Sequence, residues 1–546
     1  MVRKTIDLGI TDEQLVALHN EYGDSAYIAE MLETQNGVKV SERTIRRRLR
    51  SLRSSKEGMS EVRAGAAKDK EDLRPLAGGS ITAPDKLRTK LAGTRFVFTS
   101  AQNNTHVHEG FFKSLMNFCN EKDAELFISP FAYNKSGFQS GTKEDDSLWY
   151  DPKIVPYFFN ESAQVARGLI FCGELDILPT AVNPLSGFEN YTQNNSGIIP
   201  HTKVQMQSLP RMKGEDARFL YTTGAVTMRN YIQRKAGQKA EFHHVFGALY
   251  VEVDAAGDWF VRQLVAAEDG SFYDLTQKFS PDGVEDSRVA AITWGDIHLE
   301  KLDYQVWDAA WGMNNDSMLN ALNPEIQFVH DLTDFKARNH HNLDDPFFLA
   351  EMHHRGSGNV EKDLLRCGSF LQHITRHGNP AVVVESNHDQ ALERWLKTAD
   401  IRRDPENAEF FHRAQEFIHR SIRLNVPFHI FKWAVTRNGE IATGARFLKE
   451  DESVVVHGIE HGMHGHRGPN GSRGNPRGFR TVGRKVNIGH MHSAGIFDGV
   501  YVAGVSGMLD MGYNKGPSSW SHSHIVTYPN GKRTIVTMRN GKWRAK

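Results

Sequence analysis

Short apolar runs that stop abruptly at polar clusters recur along most of this chain. Phe96 to Thr99 and Leu126 to Ser129 read as strands, and the amphipathic stretch from about Glu109 to Asn120 reads as a helix between them. A β-α-β start of this kind opens an α/β region expected over residues 94–285. The polar cluster Gln102-Asn103-Asn104-Thr105-His106 follows a strand end, where open α/β sheets bind ligands, but a loop satisfied by its own backbone is the better explanation. Further on, Val289 to Trp294, Phe328-Val329, Ala381 to Val384 and Val486 to Ile488 are strand-like runs, each passing directly into His, Asp or Asn residues.

The N-terminal part has a different period. Thr11 and Gln14 form a capping-box start before Leu15 and Leu18, Ser25 can cap a second helix, and a third starts near Ser41. In that third helix Ile45, Leu49 and Leu52 share one stripe, and Arg43, Arg46, Arg47, Arg50 and Arg53 fall on the opposite side. Residues 1–53 thus resemble a helix-turn-helix module with a cationic last helix for DNA, although a solvated basic helix would show the same pattern. Residues 54–93, rich in Lys, Glu, Ala and Gly and free of aromatic residues, read as a linker.

At 546 residues the chain exceeds a single core. Lys plus Arg and Asp plus Glu number 66 each, so affinity for a polyanion must come from local patches. Cys119, Cys172 and Cys367 show no CxxC spacing, which leaves His, Asp and Asn as the available metal ligands. No apolar run approaches the ~18 residues that cross a bilayer, so a cytoplasmic protein without a membrane partner is expected. Of the 26 histidines, 20 lie at or beyond His298, and this skew directs the search for a site.

The strand-end clusters in that half are Asp296-Ile297-His298, then His330-Asp331-Leu332-Thr333-Asp334, then Glu385-Ser386-Asn387-His388-Asp389, then Gly489-His490-Met491-His492. In order they resemble the D-x-H, GD-x-x-D, GNHD and GH-x-H motifs of the calcineurin-like metallophosphoesterases, a family of phosphatases, nucleotide phosphodiesterases and Mre-type DNA nucleases. Any one arises often by chance; four in order, each behind an apolar run, do not. His330 and Ser386 stand where the family has Gly.

The resemblance implies a four-layer α/β/β/α domain over residues 286–510 with two facing sheets and helices outside, holding two divalent cations about 3.5–4 Å apart. Asp296, His298 and His492 would hold one metal, Asn387 and His490 the other, and Asp331 would bridge them. The family also has a lone histidine before its last motif; His464 is favoured, from Gly462-Met463-His464-Gly465-His466, and His457 is the alternative. Mixed O and N ligands suit Mn²⁺ first, with Mg²⁺, Fe and Zn²⁺ as alternatives. The cations would lower the pKa of a shared water, His388 would assist the leaving group and Asp389 would orient its ring.

The tail carries Ile525 to Tyr528, Pro529-Asn530-Gly531 and Thr534 to Met538, a β-hairpin signal, so residues 511–546 are expected as a hairpin extension in which Lys515, His522 and His524 either approach substrate or pack. Gly462 to Gly465, Pro469-Asn470-Gly471 and Asp510 to Pro517 resemble phage-encoded members of the family. The cationic helix favours DNA as substrate, hence a Mn²⁺-dependent DNA nuclease, with a homo-oligomer expected. The alternatives are a phosphomonoesterase or nucleotide phosphodiesterase, and a DNA-binding regulator built on a non-catalytic phosphoesterase scaffold.

Overall fold

The computed structural model describes residues 8–22, 25–36, 38, 40, 41, 44, 45, 48, 49, 89–133, 148–339, 342, 343 and 345–545. Arg43, Arg46, Arg47, Arg50 and Arg53, and the expected linker up to residue 88, lie outside them. The chain divides into two compact units, Met1–Lys86 and Leu87–Lys546.

In the first unit, helices Asp12–Tyr22 and Ser25–Asn36 close over a core of Leu15, Val16, Ile28, Leu32, Ile45 and Leu49. The capping box is formed: Gln14 N donates to Thr11 Oγ1 (3.2 Å) and Thr11 N to Gln14 Oε1 (2.9 Å). Arg48 fixes the third element to the first by a bidentate pair with Asp12.

The second unit is mixed α/β with four sheets. The six-stranded sheet runs, edge to edge, Ala445–Phe447, Ala381–Val383, Ile326–Val329, Ala291–Thr293, Ser523–Thr527, Arg533–Thr537. Its first four strands are parallel, as buried βα-type runs of Val and Ile should be, and the C-terminal hairpin joins antiparallel beside Ala291–Thr293. Alternate residues face opposite ways: Val526 and Val536 meet helices such as Val360–Ile374 and Ala408–Leu424, whereas Ile525 and Ile535 face an eleven-stranded sheet. The strand Arg95–Gln102 does the same, with Phe96 and Phe98 toward that sheet and Val97 and Ala101 toward helix Glu109–Lys122. The sequence's strand and helix expectations here fall within a few residues of the observed elements.

Sheet pairing crosses the boundaries placed at 285 and 510. Gly495–Phe497 pairs with Met206–Leu209, so the eleven-stranded sheet contains strands from both sides of residue 286. Gln263 exchanges hydrogen bonds with Thr534 and Ile535, which joins the earlier region to the final hairpin. Leu87–Lys546 is one compact unit, in which an edge strand left open in one segment is closed by a strand from another. Among the described residues no helix is long and apolar enough to cross a membrane.

Candidate metal centre

Three neighbouring parallel strands, Ala291–Thr293, Ile326–Val329 and Ala381–Val383, end side by side, and their following loops converge. The first two loops stay paired beyond the strands: Ile297 N, His298 N and Leu299 N donate to the carbonyls of His330, Asp331 and Leu332 at 3.0, 2.8 and 3.2 Å. Asp296 is anchored from the other side, its N–H to Gly504 O (3.1 Å) and its C=O from Ser506 N (2.7 Å). The fourth loop follows Lys485–Ile488 of the eleven-stranded sheet. Gly489 lets it close in, because a Cβ there would stand 2.1 Å from Asp296 Oδ1. In its place His490 N donates to Asp296 Oδ2 (2.6 Å).

The loops hold His298, Asp331, His490 and His492 at φ of 48, 44, 71 and 56°. Left-handed backbone costs an L-residue about 1–2 kcal/mol, and such outliers gather where surrounding structure forces a side chain to a set place.

Asp296, His298, Asp331 and His492 form one buried group of potential ligands whose donor atoms lie within 4.8 Å of one another. His492 Nε2 is 3.2 Å from Asp296 Oδ2 and 3.0 Å from His298 Nε2. Asp331 Oδ2 is 3.4 Å from His298 Nε2 and also 3.4 Å from His464 Nε2. His464 Nε2 lies 3.1 Å from Asn387 Oδ1, and the His464 ring is 5.2 Å from that of His490. One carboxylate oxygen thus stands between two sets of donors. All seven residues expected as metal ligands are brought to one place, His464 among them.

His457, the alternative, is not there: it is exposed in the tight turn between Val455–Val456 and Ile459–Glu460, at φ 46°. Asp389 does not orient His388; its Oδ1 accepts from Thr333 N (3.2 Å). The ring is held by the second motif instead, with His388 Nδ1–H donating to Asp334 O (3.0 Å) and Asp334 Oδ1 3.9 Å away. A carbonyl can only accept, so this bond fixes the proton on Nδ1. Asp334 also accepts from His298 Nδ1 (3.1 Å) and pairs with Lys301 (2.9 Å). Its own loop is pinned by Glu300, which accepts from Asp334 N (2.7 Å) and Phe335 N (3.1 Å). Asp334 and His330 stand beside Asp331 in the second strand-end cluster, where the sequence alone assigns neither a role. His330 is buried 3.4 Å from His464 and belongs with Asp296 and His464 to a second potential ligand group. The signal available for both was adjacency to Asp331 in the same polar run.

Two expectations resolve as packing. In the 102–106 cluster Asn103 and Asn104 side chains accept from Tyr133 N and Trp149 N. His522 contacts Gly507 O, and His524 accepts from Gly295 N, buried against Trp294.

The electrostatics are set by burial and by the pairing of carboxylates with imidazoles. Burial works to raise the carboxyls of Asp296 and Asp331, yet neighbouring histidines hold both below the usual range, Asp331 well below. Burial lowers His298, and lowers His490 to about 4, so both rings are neutral near pH 7. Burial opposes protonation of His492 too, but the neighbouring carboxylates of Asp296 and Asp331 carry it to about 9. Both oxygens of Asp331, Oδ1 of Asp296 and Nδ1 of His492 are buried without a hydrogen bond of good geometry. Unsatisfied buried carboxylate oxygens are costly unless something positive completes them, so this donor set fits a metal ion. A cleft of about 520 Å³ opens onto it, lined by Asn339, Asn387, His388, Ala391, Arg394, His466 and His490.

The chain matches no protein-family model and no solved structure. It is similar to "Protein A1" of Escherichia phage T5, 44% identical over 485 residues that cover 87% of either chain. On that likeness, the chain belongs to the family of the phage T5 protein A1.

Proposed function

We propose that this protein is a two-metal phosphodiester hydrolase of the calcineurin-like, four-layer α/β/β/α type, acting on DNA. The observation that carries the reading is the place of Asp331, whose Oδ2 lies 3.4 Å from a His nitrogen of each donor set. Asp296, His298 and His492 would hold one cation, Asn387, His464 and His490 the other, with Asp331 shared; Mn²⁺ suits this oxygen and nitrogen set. When bound, the cations supply a nucleophile at neutral pH and offset the charge of the phosphate. The chain does the rest. Asp296 and Asp331 stay ionised, His298 is aligned by Asp334, and His388 lines the cleft with Nδ1 committed to Asp334 O, which leaves Nε2 to exchange a proton with the leaving oxygen. The cationic face expected for the N-terminal module favours DNA as substrate, and a phage relative favours the host cytoplasm as its place.

The test is incubation of the full chain with supercoiled plasmid, and separately with a small phosphomonoester, in Mn²⁺ or EDTA, beside His388→Ala. Plasmid loss only with metal and intact His388 is the expected result. Turnover of the small ester alone would point to a phosphomonoesterase, and duplex retention without turnover to a non-catalytic scaffold.

A further inference from the structure

A basic cleft lies at the opposite end of the strand that delivers His490 and His492. Lys485–Ile488 starts in this cleft and ends at the candidate metal centre, a separation of about 13 Å for four extended residues. The cleft encloses about 780 Å³ and is lined by seven Lys and Arg side chains and two carboxylates, in a chain of zero formal net charge. That volume lies within the ~300–1,000 Å³ of small-molecule sites.

Both carboxylates are already paired. Asp498 binds Lys203 and Arg480, and Glu268 binds Arg229 (2.8 Å). Among the described residues, Lys485, Lys532 and Arg533 have no carboxylate within ion-pair distance. Arg533 is buried; it donates to the carbonyls of Val486 and Gly499 and to Asn487 Oδ1, and lies 3.9 Å over the Tyr501 ring. Those contacts engage its guanidinium but bring no carboxylate to its charge. Burial, and next the repulsion of their neighbours, holds Lys485 and Lys532 below the ordinary lysine range, and burial brings Arg533 down to about 10. Like charges gathered this way are destabilising until an anion joins them.

A second feature narrows the anion. Phe242 lines the same cleft with 84% of its surface exposed, its ring 5.1 Å from that of His243. Inorganic phosphate has no use for an exposed aromatic face. A nucleotide does, because its base stacks there while cations take its phosphate.

We propose that this cleft is a second site, distinct from the metal centre, that binds a nucleotide through its phosphate at Lys485 and Lys532 and its base on Phe242. Its two sources are the end of a single strand and a free mononucleotide. Neither the cleft nor its occupant depends on the proposed hydrolase activity.

The test is calorimetric titration of the full chain in EDTA with dTMP, a five-nucleotide thymidine strand and inorganic phosphate. Both nucleotide probes should bind, and Lys485→Glu with Lys532→Glu should weaken them about tenfold or more, while Asp331→Asn leaves them unchanged. Phe242→Ala, at an exposed position, should weaken dTMP and leave phosphate alone; it and Lys485→Gln decide the matter should the double reversal fail to fold. Tighter binding of the strand than of dTMP supports strand ends, and equal affinity supports the free nucleotide. The proposal is overturned by absent binding to the wild type, by binding lost in Asp331→Asn but kept in the lysine variants, or by phosphate binding as tightly as dTMP.

Discussion

Two buried clusters of charge in the second unit differ in how completely they are closed. Arg262, Glu252 and Asp274 lie on neighbouring strands, and the guanidinium satisfies both acids, with two bonds to Asp274 (2.6 and 2.9 Å) and one to Glu252. Its pKa stays well above normal: burial opposes the charge, and Asp274 and Glu252 more than restore it. The Asp296–His298–Asp331–His492 cluster is as deeply buried but leaves four polar atoms of Asp296, Asp331 and His492 unbonded. It also sits on left-handed backbone at three of its four members. Burial alone therefore does not mark a functional site. A buried charge cluster whose carboxylate oxygens are left without hydrogen bonds, on backbone held away from its preferred basin, marks one better.

The difference can be pressed by substitution. The largest effect is expected for Asp331→Asn, which removes the carboxylate placed between both donor sets: metal-dependent hydrolysis should fall about 10³-fold or more, with thermal unfolding of the metal-free protein unchanged or raised. A large loss of metal-free stability would show instead that Asp331 is structural. His388→Ala should reduce turnover about 10²–10⁴-fold and leave bound metal unchanged by elemental analysis. Arg262→Ala is expected to behave in the opposite way: stability should fall by about 3–5 kcal/mol, because two acids are left buried without their partner, while turnover per folded molecule is kept. Urea unfolding and active-site titration separate the two.

A smaller effect concerns pH. Burial, above all, depresses His201 to about 4 and His244 to about 3 in the folded chain, against an ordinary 6.5. Their contribution is complete above pH 6.5, where folded and unfolded forms are both neutral, and is lost as pH falls toward the folded values. The loss is about 1.4 kcal/mol per pH unit for each histidine. Urea midpoints between pH 7.5 and 5 should show this slope, and His244→Gln should make it shallower; an unchanged slope would mean that this ring is not held neutral.

The convergence of Asp296, His298, Asp331, Asn387, His490 and His492 could be read from the chain because each follows an apolar run that ends in a sheet, so linear order already encodes it. Pairing across the fold could not be read in this way. His457 and His464 both follow apolar residues and precede Gly, and only the Val456–Ile459 hairpin, which turns at His457, separates them. Asp389 neighbours His388 in sequence, yet the ring reaches back 54 residues to Asp334 because loop packing, not adjacency, sets its direction. The shared eleven-stranded sheet escaped for a related reason: Met206–Leu209 and Gly495–Phe497 are too short to carry a register signal, and nothing local says that they meet.

If the unbonded acceptors around Asp331 belong to a metal site, the chain must take up divalent cations there. Mn²⁺ binding to the full chain, counted by equilibrium dialysis with elemental analysis for wild type and Asp331→Asn, tests it most directly. Two equivalents per chain in the wild type, falling to one or none in a folded Asp331→Asn variant, is the expected result. A wild-type chain that takes up no divalent metal, or a variant that binds as many ions as the wild type, would contradict it.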